Sequence, residues 1–448
     1  MSLHNLFNTA SRSLLSYQAA SNATGQNIAN VETQGYTRRT VQMRSIPAMR
    51  GGVVFHGTLS PGGGVGVESF KRMRSQILDT AVRNGQAGSG GAGESAALLA
   101  TLESQLSPDG GDAFLGAIGD FFNAWSDVAS YPTDLSVRDN LMSTADRLAQ
   151  TLRSAEDRVL SFGRSVEQDL QGTVNQTNAI LSEVAELNVA IRSSGGTDAD
   201  SMDRRDVLLD DLAGLVPFDA RTEADGSMTV SINGMVAVQE GEALPLRLTL
   251  PPEAPEATLY AFGGTRPLQL DATEGGALGA QLSTLANDLP NALDALDALA
   301  NDIVTTVNDL HRAGTGLDGG SGRDFFDPSG TSARTLSLAS GLTSDAIAAG
   351  DGAPGDSSVA NAIFELAEAS HASATHLLSG VGSQVRSARL AAEANAAYAD
   401  HAAALRDSVS RVSLDEEMTN LIQYQQAYAA SARVLETAES LFDTLLTL

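Results

Sequence analysis

The stretch SLDEEMTNLIQYQQAYAASARVLETAESLFDTLLTL, residues 413–448, has an apolar or aromatic side chain at every seventh position. These positions are Leu414, Leu421, Tyr428, Leu435 and Phe442. A seven-residue spacing keeps one face of a helix turned toward a partner helix. The stretch therefore predicts a long helix that packs lengthwise against another helix.

The N-terminal segment 3–31 carries a matching repeat. Its positions are Leu3, Ala10, Tyr17, Thr24 and Val31, with a neighbouring row at Phe7, Leu14, Ser21 and Ile28. The segment is rich in Asn, Ser and Thr, which have weak helix propensity, so packing has to stabilise this helix. We expect its partner to be the other terminus or another molecule, and we expect the helix alone to be frayed or disordered.

The C-terminal helix is predicted to be a separate element. Ser413 and Glu416 have the spacing of a capping box, in which each side chain accepts a hydrogen bond from the other residue's backbone N–H. We predict that both terminal helices make assembly contacts. The predicted contact residues are Leu3, Leu6, Phe7, Leu14, Tyr17, Ile28, Val31, Leu414, Met418, Leu421, Tyr424, Tyr428, Leu435 and Phe442.

The charge of the chain restricts its partners. Among 448 residues, 55 are acidic and 28 are basic, a net charge of -27, so the chain would repel DNA or RNA. Residues 1–83 are the exception, with nine Lys or Arg against three acidic residues. This segment has no basic amphipathic face, so we expect it to face an acidic protein surface rather than a membrane.

Neither a membrane span nor a secretory signal is evident. No run of about 18 apolar residues could cross a bilayer, and the N-terminus lacks the basic and apolar regions of a signal peptide. The chain has no cysteine, which excludes disulfides and thiolate metal sites. If the protein is extracellular, we expect it to leave the cell by a route that needs no cleaved signal.

The middle of the chain predicts long helices around one small β insert. A heptad pattern from Ala145 to Leu187 predicts a rod of roughly 80 Å, ending near Ser193. Between residues 215 and 270 the apolar period becomes two, and Asn233-Gly234 predicts a hairpin turn. A helix is predicted from residue 282 onward, with a kink at Pro290. An irregular stretch, 312–357, follows it. Another helix is predicted from residue 359 to about 406.

These patterns predict an α+β, predominantly helical fold, in which the N- and C-terminal regions together form helical bundle or coiled-coil rods around an inserted β-rich domain. The predicted terminal unit comprises residues 1–45 and 408–448 and is disordered in the monomer. Residues 46–215 and 275–407 form the helical rod domain with short β elements. Residues 216–274 form the β-rich insert.

Two glycine motifs suggest binding sites but favour structural interpretations. Gly88-x-Gly90-x-x-Gly93 matches a dinucleotide fingerprint, yet a helix-like sequence precedes it instead of a strand. We interpret residues 85–93 as a flexible break. Residues 319–326 resemble one calcium-binding nonapeptide, but a single copy cannot complete an oxygen cage, so a tight turn is expected. No cofactor or metal site is predicted.

The histidines offer weak evidence of chemistry. His371 and His376 are five residues apart on a helix and point away from a shared metal face, so both are expected on the surface. His311 could form an acid–base pair with Asp309 or Asp324, but no nucleophile is marked, and capping of a helix C-terminus by His311 is preferred. The chain is not predicted to be an enzyme.

Several segments carry a family resemblance. Residues 25–38, GQNIANVETQGYTR, resemble the N-terminal signature of bacterial flagellar rod, hook and hook-associated proteins. Residues 413–446, 203–206 and 308–326 resemble the hook-associated protein 1 branch of that family. Gln34 stands where the family commonly has Pro, and Arg411 where Gly is usual. The turn of the N-terminal motif is formed by Asn30, Gly35, Tyr36 and Arg38.

This resemblance implies a structural role. The expected function is a ring of subunits at the junction of hook and filament, assembled through the terminal helices and contacting the hook protein and the next junction protein. It implies an extracellular location, export through the flagellar type III apparatus, and a chaperone on the C-terminal helix before export. The alternatives are a hook or distal rod protein, and a secreted metal-dependent hydrolase built around His311, Asp309 and Asp324.

Overall fold

Helices dominate the fold, as predicted. The computed structural model describes residues 3–46, 64–249, 258–261, 275–353 and 355–446. Its α-helices are α1 (Leu3–Ala29), α2 (Gln76–Leu106), α3 (Asp112–Ser130), α4 (Leu135–Ser193), α5 (Ala199–Leu215), α6 (Gly276–Ser283), α7 (Leu289–Ala313), α8 (Ser358–Ser410) and α9 (Leu414–Leu446). Within these described ranges, no helix combines the length and the hydropathy needed to cross a membrane.

The strands of the described residues form small antiparallel sheets. They are β1 (Arg39–Ser45), β2 (Val65–Arg72), β3 (Asp219–Thr222), β4 (Met228–Ile232), β5 (Met235–Gln239), β6 (Glu242–Ala243), β7 (Leu246–Thr249) and β8 (Thr258–Ala261). β1 pairs with β2, β3 to β6 form one sheet in chain order, and β7 pairs with β8. Asn233 and Gly234 both have positive φ, as a type I′ hairpin turn requires. The predicted hairpin is therefore confirmed, and residues 250–257 and 262–274 of the predicted β insert lie outside the described residues.

Helix α4 confirms the predicted rod and refines its buried face. It has 59 residues, about 90 Å at 1.5 Å per residue. Ala145, Leu152 and Val159 of the heptad are fully buried, but farther along Val174 and Leu181 are buried and Leu187 is only half-buried. A straight helix has 3.6 residues per turn, so a strict seven-residue row drifts off the buried face.

The flexible break predicted at residues 85–93 is wrong, because helix α2 runs through it without interruption. The glycines allow close packing instead. A Cβ at Gly85 would lie 2.9 Å from the Cα of Ala399 in α8, and one at Gly91 would lie 2.8 Å from the backbone nitrogen of Gly276. Three helices therefore approach the α2 backbone at distances that only glycine permits, since Gly90 also lies against Gly214 of α5.

The irregular stretch predicted after α7 belongs to the rod core. Phe325, Phe326 and Leu336 are fully buried, and the Phe325 ring lies 5.1 Å from the ring of Trp125 in α3. Its described residues beyond 327 are therefore a packed loop. At the position of the kink expected at Pro290, a π-helical turn at Thr284–Asp288 directly precedes α7, and Pro290 occupies the first turn of α7.

The terminal helices pair with each other. Asn27 near the end of α1 contacts Glu417 near the start of α9, so the two helices run antiparallel along their shared length. The β1–β2 hairpin packs on α1, and α8 packs along α2. Only three residues separate the end of α8 at Ser410 from the start of α9, so a short connection joins the helix pair to the rod.

Candidate assembly interface and its arginine–aspartate network

The contact between α1 and α9 divides the predicted interface residues into two groups. Leu6, Leu14, Tyr17, Ile28, Val31, Leu421, Tyr424 and Leu435 are half-buried. Five large side chains are about half exposed: Phe7 (42%), Leu414 (47%), Met418 (48%), Tyr428 (41%) and Phe442 (53%). The helix of Leu3 is described but its side chain lies outside the described part. The chain itself therefore covers only part of the predicted apolar face.

Most of the fully buried residues of α1 are small. The buried positions there include Ala10, Ala20, Ala23 and Thr24, and on α9 Ala438 is buried. The exposed apolar residues of α1 and α9 that are absent from the predicted contact residues include Leu15 (65%) and Ile422 (50%). Ile422 could have been found, because it continues the four-residue spacing from Leu414 through Met418, which places all three on one side of a helix. Large apolar side chains therefore remain exposed next to the α1–α9 contact.

Asn27 is the centre of the N-terminal motif. It is 1% exposed, and its Nδ2 donates hydrogen bonds of 2.9 Å to the carbonyl oxygen of Arg39 and to Glu417 Oε2. Its Oδ1 accepts from the Tyr36 hydroxyl and from the Arg39 N–H. One amide thus connects α1, β1 and α9. Sequence analysis did not select Asn27, since its contacts become neighbours only after folding.

Arg38 joins the motif turn to the start of α9. Its Nε lies 2.7 Å from Glu417 Oε1, and its Nη1 lies 2.9 Å from Glu416 Oε2. α9 starts directly after Ser413, as expected, but neither side-chain bond of the predicted capping box forms among the described residues. Glu416 pairs with Arg38 instead, and the Glu417 N–H donates to the backbone oxygen of Ser413.

The turn of the motif requires glycine at residue 35. Gly35 has a φ of +77°, as predicted, a conformation that costs other residues roughly 1–2 kcal/mol. A side chain there would also overlap with the Val207 side chain of α5. Asn30 supports the same turn by accepting at its backbone oxygen from the Thr33 N–H. The turn thus lies close against α5 although Gln34 replaces the proline that the resemblance predicts.

Helix α5 presents an acidic row to the basic N-terminal segment. Asp203, Asp206 and Asp210 follow each other at three- and four-residue spacing on one face. The ion pairs are Arg39–Asp203 (3.2 Å), Arg72–Asp203 (2.6 Å), Arg72–Asp206 (2.5 Å), Arg74–Asp206 (2.9 Å), Arg83–Asp206 (3.4 Å), Arg83–Asp210 (3.4 Å) and Arg406–Asp210. The prediction that residues 1–83 face an acidic protein surface is confirmed.

Asp206 is the most enclosed member of this network. It is 5% exposed. Burial alone would raise its pKa, but the nearby charges of Arg74, Arg72 and Arg83 outweigh burial and hold the pKa below its ordinary value. Asp206 is therefore ionised at neutral pH and bonded to three arginines from β2, the β2–α2 connection and α2.

Comparison with known proteins agrees with this architecture. A model of the flagellar hook-associated protein FlgK helical domain matches residues 99–326, just over half of the chain. The chain belongs to the FlgK family of flagellar hook-associated proteins. Its FlgK helical domain thus includes α3, α4, α5 and α7. A second model, the C-terminal region of flagellar basal body rod FlgEFG proteins, matches residues 407–448, which include α9.

Relatives of this FlgK-family chain extend over nearly its whole length. It is 26% identical to flagellar hook-associated protein 1 of Bacillus subtilis, over 98% of this chain and 97% of the relative. It is 24% identical to the protein of the same name in Salmonella typhimurium, over 99% and 100% of the two chains. The predicted class, a structural protein of the bacterial flagellum, is confirmed.

A solved structure resembles part of the FlgK-family fold. It is the flagellar hook junction protein FlgK from Burkholderia pseudomallei, with a TM-score of 0.50 and 25% identity. The match spans 55% of this chain and 46% of that chain. The predominantly helical class predicted from the sequence is therefore confirmed.

In this FlgK-family chain His311 has a structural role. It is 1% exposed, its Nδ1 donates to the carbonyl oxygen of Arg323 at 2.8 Å, and its Nε2 accepts from the Ala348 N–H at 2.9 Å. The side chain thus binds the loop after α7, so the expected capping of the helix terminus by His311 is wrong. Burial lowers its pKa, which keeps the imidazole neutral.

The carboxylates considered as partners of His311 face elsewhere. Asp309 and Asp324 both pair with Arg312, at 3.1 and 2.6 Å, so the acid–base pair is not assembled. Gly319 and Gly322 have positive φ in the stretch that resembles a calcium motif, consistent with a tight turn. Across the described ranges, no group of three His, Asp or Glu side chains could hold a metal ion.

The other histidines and the glycine fingerprint carry no site. His371 and His376 are exposed on α8, as predicted. Gly88, Gly90 and Gly93 lie inside α2, where the backbone N–H groups are bonded within the helix and are not free for a pyrophosphate.

Proposed function

We propose that this chain forms the junction ring between hook and filament, by association of like subunits through their terminal helices. The proposal rests on one observation: the contact between α1 and α9 covers only part of the apolar surface of these two helices. The fully buried positions of α1 and α9 are mostly small side chains, whereas Leu414, Met418 and Ile422 remain about half exposed on one side of α9. An exposed apolar row on a soluble chain is typical of a surface that binds another protein.

We divide the chain into three units, with the β-rich insert inside the rod sequence and the rod sequence between the two terminal segments. Residues 1–45 and 408–448 form the terminal unit, residues 46–215 and 275–407 the rod, and residues 216–274 an outer β-rich insert. The match of the rod-protein C-terminal model to residues 407–448 supports the second boundary. The boundary between residues 45 and 46 needs adjustment. Strand β1 lies before this boundary and pairs along its whole length with β2, which lies after it. We assign both strands to the terminal unit.

The proposed partners are other copies of the chain, the hook protein and the next junction protein. The proposed location is the extracellular flagellum, reached through the flagellar type III apparatus, with a chaperone on the C-terminal helix before export. The exposed apolar row on α9 supports the proposed chaperone, because another protein would have to cover this row until the subunit assembles. No enzymatic activity is assigned, since the relatives are hook-associated structural proteins.

Serine replacements at Leu414, Met418 and Ile422 should abolish filament attachment in motile cells. The monomer should keep its thermal midpoint, because the three side chains are already about half exposed and exposed substitutions shift stability by only about 0.5 kcal/mol each. The readouts are swimming and filament number in cells whose only copy is the variant, with thermal unfolding of the purified chain. Leu390→Ser on α8, at a side chain 66% exposed, is the matched control and should leave attachment intact. Normal filaments on the triple variant would refute the proposed interface.

The terminal helices should be protected from protease only after assembly. Their contact within one chain buries mainly small side chains, which offsets little of the entropy lost on ordering. Limited proteolysis of the monomer should therefore cut α1 and α9 well before the rod, and assembled subunits should resist cleavage at the same sites. Equal resistance of the ends and the rod in the monomer would contradict ordering on assembly.

A further inference from the structure

A cavity of about 250 Å³ lies where β2, α2, α5 and the β3–β4 hairpin meet. Its charged lining residues are Arg72, Arg74, Arg83 and Arg205, with Asp79 and Asp206. Four guanidinium groups thus face two carboxylates across a space large enough for a small ion. Two further carboxylates, Asp203 and Asp210, contact Arg72 and Arg83 from outside the lining.

Three of the four arginines have carboxylate partners. Arg72 pairs with Asp203 and Asp206, Arg74 with Asp79 and Asp206, and Arg83 with Asp206 and Asp210. Arg205 has no ion pair with any carboxylate of the described residues. Among the described residues, Arg205 is therefore the lining arginine that lacks a carboxylate partner.

Arg205 is also the most enclosed of these arginines. It is 3% exposed, and its Nη1 donates to Asn188 Oδ1 at 3.1 Å and to the carbonyl oxygen of Gly226 at 2.8 Å. Its Nε is buried and has no hydrogen-bond acceptor among the described residues. A buried charge without a counterion, like a buried donor without an acceptor, is costly, so this side chain lacks a partner that its surroundings require.

Arg205 keeps its charge at neutral pH. Burial, with the nearby charges of Arg72, Arg83 and Arg74, lowers its pKa to about 10, although Asp206 opposes this shift. Deprotonation therefore does not remove the need for a counterion. Guanidinium groups bind carboxylate and phosphate oxygens through paired N–H donors, which a spherical chloride ion cannot match.

We propose that this cavity is an anion-binding site that takes a carboxylate or a tetrahedral oxyanion against Arg205. The oxyanion chemistry could be supplied by free phosphate or by an acidic side chain of a second copy of the chain. Both would place oxygens toward the guanidinium of Arg205 and supply the counterion that it lacks. The site does not depend on the proposed junction role, because it is defined by side chains within one chain.

Titration of the full chain with inorganic phosphate tests the site directly. At constant ionic strength adjusted with sodium chloride, phosphate up to about 20 mM should raise the thermal midpoint in a saturable way, because it binds the folded state alone. Phosphorus NMR line widths should broaden over the same range. A wild-type chain that shows neither a saturable midpoint shift nor line broadening would overturn the proposal, and this result does not depend on any variant.

Two neighbouring arginines of α5 provide the matched variants. Arg205→Met should lose the phosphate response, whereas Arg204→Met should keep it, because Arg204 is mainly exposed and pairs with Glu183 outside the cavity. Equal responses in the two variants would assign the effect to general surface charge and overturn the site. If Arg205→Met does not fold, the phosphate titrations of the wild-type chain and of Arg204→Met still test whether the folded chain binds phosphate.

Sedimentation equilibrium separates the two sources of the anion. Phosphate that weakens self-association of the wild-type chain identifies the occupant as a carboxylate of a second copy, because both compete for Arg205. Phosphate that binds without changing self-association identifies a free oxyanion. Both results support the anion site.

Discussion

Replacement of Asp206 by Asn should lower the free energy of unfolding by about 3–5 kcal/mol, the usual cost of removing one partner from a buried ion pair. Asp206 is 5% exposed and bonds to Arg72 and Arg74 at 2.5 and 2.9 Å, with Arg83 at 3.4 Å. Asn has nearly the same volume, so packing is preserved while the charge is lost. Urea unfolding of the purified chain at pH 7 measures the change.

The pH dependence of the same variant gives an independent readout. The folded-state pKa of Asp206 is lowered, so its contribution to stability is present above its unfolded value of about 3.9 and is lost as the pH falls through the lower folded value. The difference in stability between wild type and Asp206→Asn should therefore be constant from neutral pH to about pH 5 and should shrink in more acidic solution. A difference that grows in acid would contradict this assignment.

An exposed pair in the rod supplies the control. Asp120 lies 3.3 Å from Arg147, and both side chains are more than half exposed. Asp120→Asn should cost about 0–1 kcal/mol, because water and salt screen exposed pairs. Equal losses at Asp206 and Asp120 would show that burial adds nothing to the network and that α5 is not anchored by its acidic row.

Elements whose signals are local could be predicted from the sequence. Periodic apolar residues located α1, α4 and α9, and Asn233-Gly234 located the hairpin, because helix faces and turn conformations depend on neighbouring residues. The heptads also predicted that the terminal helices have a partner. They could not identify which residues the partner covers, since an apolar row has the same appearance whether another helix of the chain or a second subunit buries it.

Contacts between distant segments could not be predicted in this way. Asn27, Arg38 and Glu417 meet across nearly the whole chain, and the acidic row of α5 gains its partners only when β2 and α2 pack beside it. His311 shows the same limit. Its position at the end of a predicted helix favoured capping of the helix terminus, but its buried environment, with Trp125 and Phe325 against the ring, depends on tertiary packing.

Replacement of Gly90 by Ala should destabilise the chain by about 2 kcal/mol, although alanine has the higher helix propensity. The added Cβ would overlap with the carbonyl oxygen of Gly214 in α5, a backbone atom that cannot rotate away. Overpacking of this kind costs about 3 kcal/mol. The gain in helix propensity offsets about 1 kcal/mol of that cost. Separation of α2 from α5 would also strain the ion pairs of Arg83 with Asp206 and Asp210.

Gly93→Ala is the matched control for this prediction, because no atom lies within 4 Å of a Cβ built there, three residues along the same helix. It should stabilise the chain by about 1 kcal/mol through helix propensity alone. Urea unfolding of the two variants side by side should therefore give changes of opposite sign. If residues 85–93 were a flexible linker, both substitutions would change stability only slightly, because neither glycine would then contact another helix. Opposite signs require an uninterrupted α2 with α5 held against its backbone.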